Sequence, residues 1–162
     1  MLYNACKSYL MQKLQEAGIK TNIYTSEKAL ERCQESHMGA VLFESERAVR
    51  NAAKKFYGAK EGERTVRKKL YDRSLTFHAI IGEYTDEAAE KIYEELIRKL
   101  GKGFYDDGNW VGIEIQGADW VDRDDSILKA KIAVQVAVVF TGGLYEDGPA
   151  AQIGDAGVTV PD

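Results

Sequence analysis

Apolar positions near the start of the chain recur at helical spacing. Tyr3, Cys6, Leu10, Leu14 and Ala17 share one face, and Gly18 follows where a helix is expected to stop. Ile19–Tyr24 predicts a short strand. Ser26 is placed to cap a brief helix through about Glu35, with Glu27 in its first turn. Gly39–Phe43 predicts a strand that Glu44–Arg50 either extends or leaves. Asn51–Arg64 has no period and two glycines, and reads as a long hairpin arm or a loop. The pattern turns to alternation in Arg67–Gly82. Leu75, Phe77, Ala79 and Ile81 fall on one face and Thr76 and His78 on the other, as a half-buried antiparallel strand requires.

The strongest helical signal is Thr85–Leu100. Thr85 caps it, Asp86 and Glu87 fill the electropositive first turn, and Arg98 and Lys99 sit at the negative end. Ala89, Ile92, Tyr93, Leu96 and Leu100 form the buried stripe, and Gly101 stops it. Gly103–Asn109 reads as a turn-rich link, Val111–Ile115 as a strand, and Gln116–Ser126 as a polar connection. The last strand carries Ile132, Val134, Val136, Val138 and Phe140 on one side. Lys129, Lys131, Ala133, Gln135 and Ala137 lie on the other, so that side is either wet or covered by a neighbour. Gly142-Gly143 predicts a turn. Glu146–Asp162 has almost no large apolar residue and predicts a flexible tail. The expected fold is α+β: an antiparallel or mixed sheet of about four to five strands with two main helices on one face. It forms one domain over residues 1–145, with an extended basic arm at about 46–70.

Composition narrows the function classes. A chain of 162 residues suits a single domain large enough to need no staples. A net charge of −4 argues against bulk binding to nucleic acid or anionic membranes. Cys6 and Cys33 are read as free thiols in a reducing compartment. The N-terminus lacks the apolar core of a signal peptide, and the longest apolar runs are of strand length.

No nucleophile elbow, phosphate loop, dinucleotide fingerprint or HExxH motif occurs. Cys33 and His37 can share a helix end but make only half of a structural zinc site. His78, in mid-strand on the more polar face, reads as an ordinary surface or hydrogen-bonded histidine rather than a pH switch. The aspartates at 119, 122, 124 and 125 lack the order of a calcium loop. Asp106, Asp107 and Glu114 faintly suggest a magnesium nuclease, but Gln116 stands where that pattern needs lysine. No metal, cofactor or catalysis is expected.

Charge distribution says more. Glu46–Arg73 holds ten basic and four acidic residues, a balance of +6. Phe104–Asp125 holds seven acidic residues against Arg123 alone, a balance of −6. Two readings follow. The arm of one subunit can dock on the acidic rim of the next, head to tail, closing a ring when the rotation permits. Alternatively the arm, with Phe56, Tyr57 and Tyr71 nearby, can bind nucleic-acid phosphates. The first reading assigns Arg47, Arg50, Arg64, Arg67 and Lys68 to the positive side of a subunit contact. It assigns Asp119, Asp122, Asp124 and Asp125 to the negative side.

The order of elements over Met1–Glu146 resembles the tail terminator (tail-completion) proteins of long-tailed bacteriophages. The likeness rests on DRSLTFHAII, then TDEAAEKIYEELIRKL, then VQVAVVFTGGLYE. It implies a non-enzymatic virion protein that forms a six-membered ring, caps the tail tube and stops its polymerisation. It also implies a surface offered to the head connector, at the tail–head junction of a particle assembled in the host cytoplasm. The implied partners are other copies of the chain, the tube protein, and possible neighbours in the sheath and head–tail connector, with DNA passing through the lumen without specific binding and no membrane involved. No site residue is carried over from the family.

Overall fold

The computed structural model describes residues 1–51, 55–60, 63–122 and 132–149. Helix α1 (Leu2–Ala17) buries Leu2, Cys6, Leu10, Leu14 and Ala17, and Gly18 ends it at φ 126, a conformation that favours glycine. Strand β1 (Ile23–Tyr24) is shorter than predicted. Helix α2 (Glu27–Glu31) has the predicted cap: the Ala29 amide donates to Ser26 Oγ at 3.1 Å. Strand β2 spans Met38–Arg50, so the polar stretch after Phe43 stays in the sheet. Strands β3 (Lys55–Lys60) and β4 (Glu63–Glu83) form the arm, which is a hairpin. Helix α3 (Asp86–Leu100) is capped by Thr85 Oγ1, which accepts from the Ala88 amide at 3.2 Å. Strands β5 (Gly103–Asp106), β6 (Asn109–Asp122) and β7 (Ile132–Pro149) complete the fold.

The expectation of an α+β fold with a mixed sheet holds; the strand and helix counts do not. Six strands lie abreast in the order β1-β2-β4-β7-β6-β5, and β3 pairs with β4, making seven. Among the described residues only the β1–β2 pairing is parallel. The extra strands are short or polar, which hid them from an apolar count. The segment read as a turn-rich link is the β5–β6 hairpin. Asp107 and Gly108 have φ of 49° and 78° in its two-residue loop, between the paired Asp106 and Asn109. Gln116–Asp122, read as a connection, is the second half of β6.

Strand β7 also outlasts its prediction. Gly142 and Gly143 make no turn; they pair with Arg73 and Asp72, and the strand continues until Pro149 meets Thr65. Close packing explains both glycines. A Cβ at 142 would stand 2.9 Å from Leu2 Cδ1, and one at 143 would stand 2.5 Å from Lys69 Cε. Glu146–Pro149 are thus strand and not tail, and residues 150–162 lie outside the described ones.

The main core lies between one sheet face and helices α1 and α3. It joins Leu10, Leu14, Ile92, Leu96 and Leu100 to Leu75, Phe77, Val136, Val138 and Phe140. Tyr9 ties the two helices together by donating to the Leu100 carbonyl at 2.8 Å. On the opposite face, among the described residues, α2 covers one end of the sheet. There Leu30 and Cys33 pack on Met38, Ala40, Ile80 and Ala133.

Candidate functional site

Beyond that patch the second face is bare of helix among the described residues. Cross-strand partners point to the same side, so the register puts Arg47, Ser74 and Thr141 in one row and Ala40, Ile80, Gln135 and Asp119 in another. Between them His78 accepts from the Gln135 amide at Nδ1 (2.7 Å). Its Nε2–H therefore faces Glu44 Oε2 at 3.0 Å. The surface is one of small and polar side chains, as expected from alternation in the last strand.

The sheet is open at both sides. β1 covers β2 only at Gly39 and Ala40, and β5 covers β6 only from Asn109 to Gly112. Val41–Arg50 and Glu114–Asp122 thus have no outer strand among the described residues. Phe43–Arg50 is exposed at eight successive positions, although it sits inside a sheet.

The predicted contact residues are scattered over the sheet. Arg47 and Arg50 are exposed on the open β2 edge, where Arg50 also donates to the Tyr71 hydroxyl at 3.2 Å. Asp119 is exposed on the open β6 edge, opposite Gln135 of β7. Arg64 and Asp122 are placed by backbone alone, in β4 opposite Ala59 and in β6 opposite Ile132. Asp124 and Asp125 lie outside the described residues. Arg67 and Lys68 are in the middle strand of the arm, between β3 and β7.

Arg67 is already engaged within its own chain. Its Nε and Nη2 donate to Asp147 at 2.6 and 2.8 Å, and its Nη1 donates to the Asp107 carbonyl at 2.6 Å. The Asp147 fork raises the Arg67 pKa, and in return Arg67 holds the Asp147 carboxyl below its ordinary range. Lys69 pairs with Asp72 at 2.8 Å and Arg73 with Glu46 at 2.6 Å. Glu46 and Asp72 already count in the arm's +6, so among these pairs only Arg67–Asp147 brings in a carboxylate from outside the segment and lowers that balance. Sequence reading misses the Arg67 contacts because Asp147 reads as tail and Asp107 as link.

Beside Arg67 a cleft of about 370 Å³ lies between the first turn of α1, the β5–β6 hairpin and β7. Leu2, Trp110 and Leu144 give it apolar walls, and Arg67, Arg73 and Asp106 give it charge. Below it Cys6 is buried, and desolvation, helped by the Asp106 charge, pushes its thiol pKa up to about 12. Such a thiol is not a nucleophile.

The remaining candidate chemistry is structural. His37 Nε2 accepts from the Lys20 amide at 3.0 Å and its Nδ1–H donates to Glu83, a buried carboxylate. The ring is thus not paired with Cys33, whose thiol donates to the Glu35 carbonyl at 3.6 Å. Among the described residues no three His, Cys, Asp or Glu side chains gather as metal ligands; Asp106, Asp107 and Glu114 do not form such a group. Among them, too, no helix is long and apolar enough to cross a membrane. No protein-family model and no curated protein sequence matches this chain.

Proposed function

We propose that this protein is a structural virion subunit. Identical copies close into a ring at the end of a phage or phage-like tail tube, halt tube polymerisation and present a joining surface to the head connector. The carrying observation is the two-sided sheet. Helices α1 and α3 seal one face over the main core, while the other face, past the α2 patch, is polar and bears no helix among the described residues. A subunit of this kind has an outside and an inside. In a ring the helices face outward and the Ser74, His78 and Gln135 surface faces a lumen. A net charge of −4 keeps passing DNA from adhering. The order of elements, which resembles that of tail terminators, supports this reading.

The arm as a phosphate-binding device is less favoured, because Arg67, Lys69 and Arg73 are held by carboxylates of the same chain. Negative-stain electron microscopy of the purified protein tests the proposal. Discrete annuli of one diameter are expected. Isolated monomers at every concentration, or open filaments, contradict it.

A further inference from the structure

We propose that neighbouring copies join by sheet extension: the open edge of β2 in one copy pairs with the open edge of β6 in the next. This rests on the ring reading and assigns its contact. The antiparallel pairings β2–β4, β4–β7 and β7–β6 make strand direction alternate across the sheet. β2 and β6 therefore run in opposite directions. A further copy's β2 laid beside β6 continues the antiparallel order, so each copy offers one donor edge and one acceptor edge. That is the heterologous contact a ring needs.

Each edge carries one irregularity, between Phe43 and Ser45 in β2 and between Ile115 and Gly117 in β6. The regular stretches Ser45–Arg50 and Gly117–Asp122 are left to pair. Neither stretch contains proline, so every residue in both keeps a backbone N–H that can join a sheet ladder. Charge selects the partner edge. Arg47 and Arg50 are exposed on the β2 stretch, and Asp119 is exposed on the β6 stretch, which has no basic residue.

Arg47 and Asp119 also point to the same open face, by register with Ser74 and Gln135. Setting them opposite each other keeps inward residues inward and brings Val49 against Gly117. This register has a geometric consequence. Within one protomer Val49 is level with Gly143 of β7, through Asp72, and Gly117 is level with Ala137. The offset is about six residues, roughly 20 Å along the strands, across four strand widths of roughly 19 Å. The strands then tilt about 45° to the ring axis, at the upper end of the range that closed barrels adopt.

The test is a double variant, Val49→Cys with Gly117→Cys. Val49 is exposed, and a Cβ at Gly117 meets nothing within 4 Å, so the fold tolerates both changes. Inside one protomer the two positions are three strand spacings apart, at least about 14 Å, beyond the reach of a disulfide. Between copies they are direct neighbours. With oxidised glutathione the double variant is expected to give a ladder of covalent multimers up to the ring mass, reversed by reductant. Each single variant is expected to stay at monomer mass. Rings seen by light scattering without a ladder overturn the edge contact and leave the ring reading standing. A protein that stays monomeric before and after oxidation overturns both. A ladder from particles that are open filaments upholds the edge contact and removes ring closure.

Discussion

The Arg67 guanidinium grips Asp147 with two nitrogens and the Asp107 carbonyl with a third, pinning the end of β7 and the β5–β6 loop to the arm. Because Asp147 has a depressed pKa, its contribution is present above the ordinary carboxylate value of about 3.9. It is lost as pH falls through the folded value. The carboxylate is more than half exposed, so screening limits its contribution to about 0.5–1 kcal/mol. Asp147→Asn is expected to lose that amount at pH 7 and almost nothing near pH 2, read from urea midpoints; equal losses at both pH values contradict the pairing. Cys6 has the opposite sign. Its thiol pKa is raised to about 12, so the neutral form stabilises the fold below the ordinary thiol value of about 8.5. That stability drains away as pH climbs toward 12. In a Cys33→Ser background, Ellman's reagent at pH 8 is expected to leave Cys6 unmodified until denaturant is added. Prompt labelling of the native protein contradicts the burial.

At the scale of elements, legibility followed the amount of apolar periodicity. Both long helices and the hydrophobic halves of β2, β4 and β7 were readable, because one face of each is buried in the same core. The polar halves were not. Ser45–Arg50, Gly117–Asp122 and Tyr145–Pro149 keep strand geometry through backbone pairing with β4 or β7, and their side chains do not record it. One missed element did carry a local signal. Asp107-Gly108 between Tyr105 and Trp110 is a two-residue hairpin loop, and reading it as such would have found β5. The open edges follow from strand order, which needs the fold. Of the predicted contact residues, Arg47, Arg50 and Asp119 stand exposed where a neighbour can reach them; the involvement of Arg67 required knowing where β7 ends. The hairpin also supplies a sharp test. A Cβ at Gly103 would lie 2.2 Å from the Val111 carbonyl oxygen, so Gly103→Ala must separate β5 from β6. It is expected to cost about 1–3 kcal/mol, with hydrogen exchange quickening in the hairpin first. Thr85→Ala, which removes the cap of α3, is expected to cost about 1 kcal/mol, with thermal melting as the readout.

For the whole molecule, asymmetry is what matters. Among the described residues one sheet face is sealed by helices and the other is not, and the outer edge of β2 carries arginines where that of β6 carries an aspartate. Arg47→Asp and Asp119→Arg each place like charges together at the proposed contact. A cross-strand pair of this kind contributes roughly 0.2–1 kcal/mol. Each single change is therefore expected to raise the concentration at half-assembly by up to several-fold, and the double swap to restore it. Additive losses in the double variant mean that the two residues do not meet. Native mass spectrometry over a hundredfold range of protein concentration tests self-association into one closed species most directly. A single multimer that replaces the monomer without intermediates, and does not grow further, is the expected result. A monomer at every concentration, or a continuous series of ever larger multimers, contradicts it.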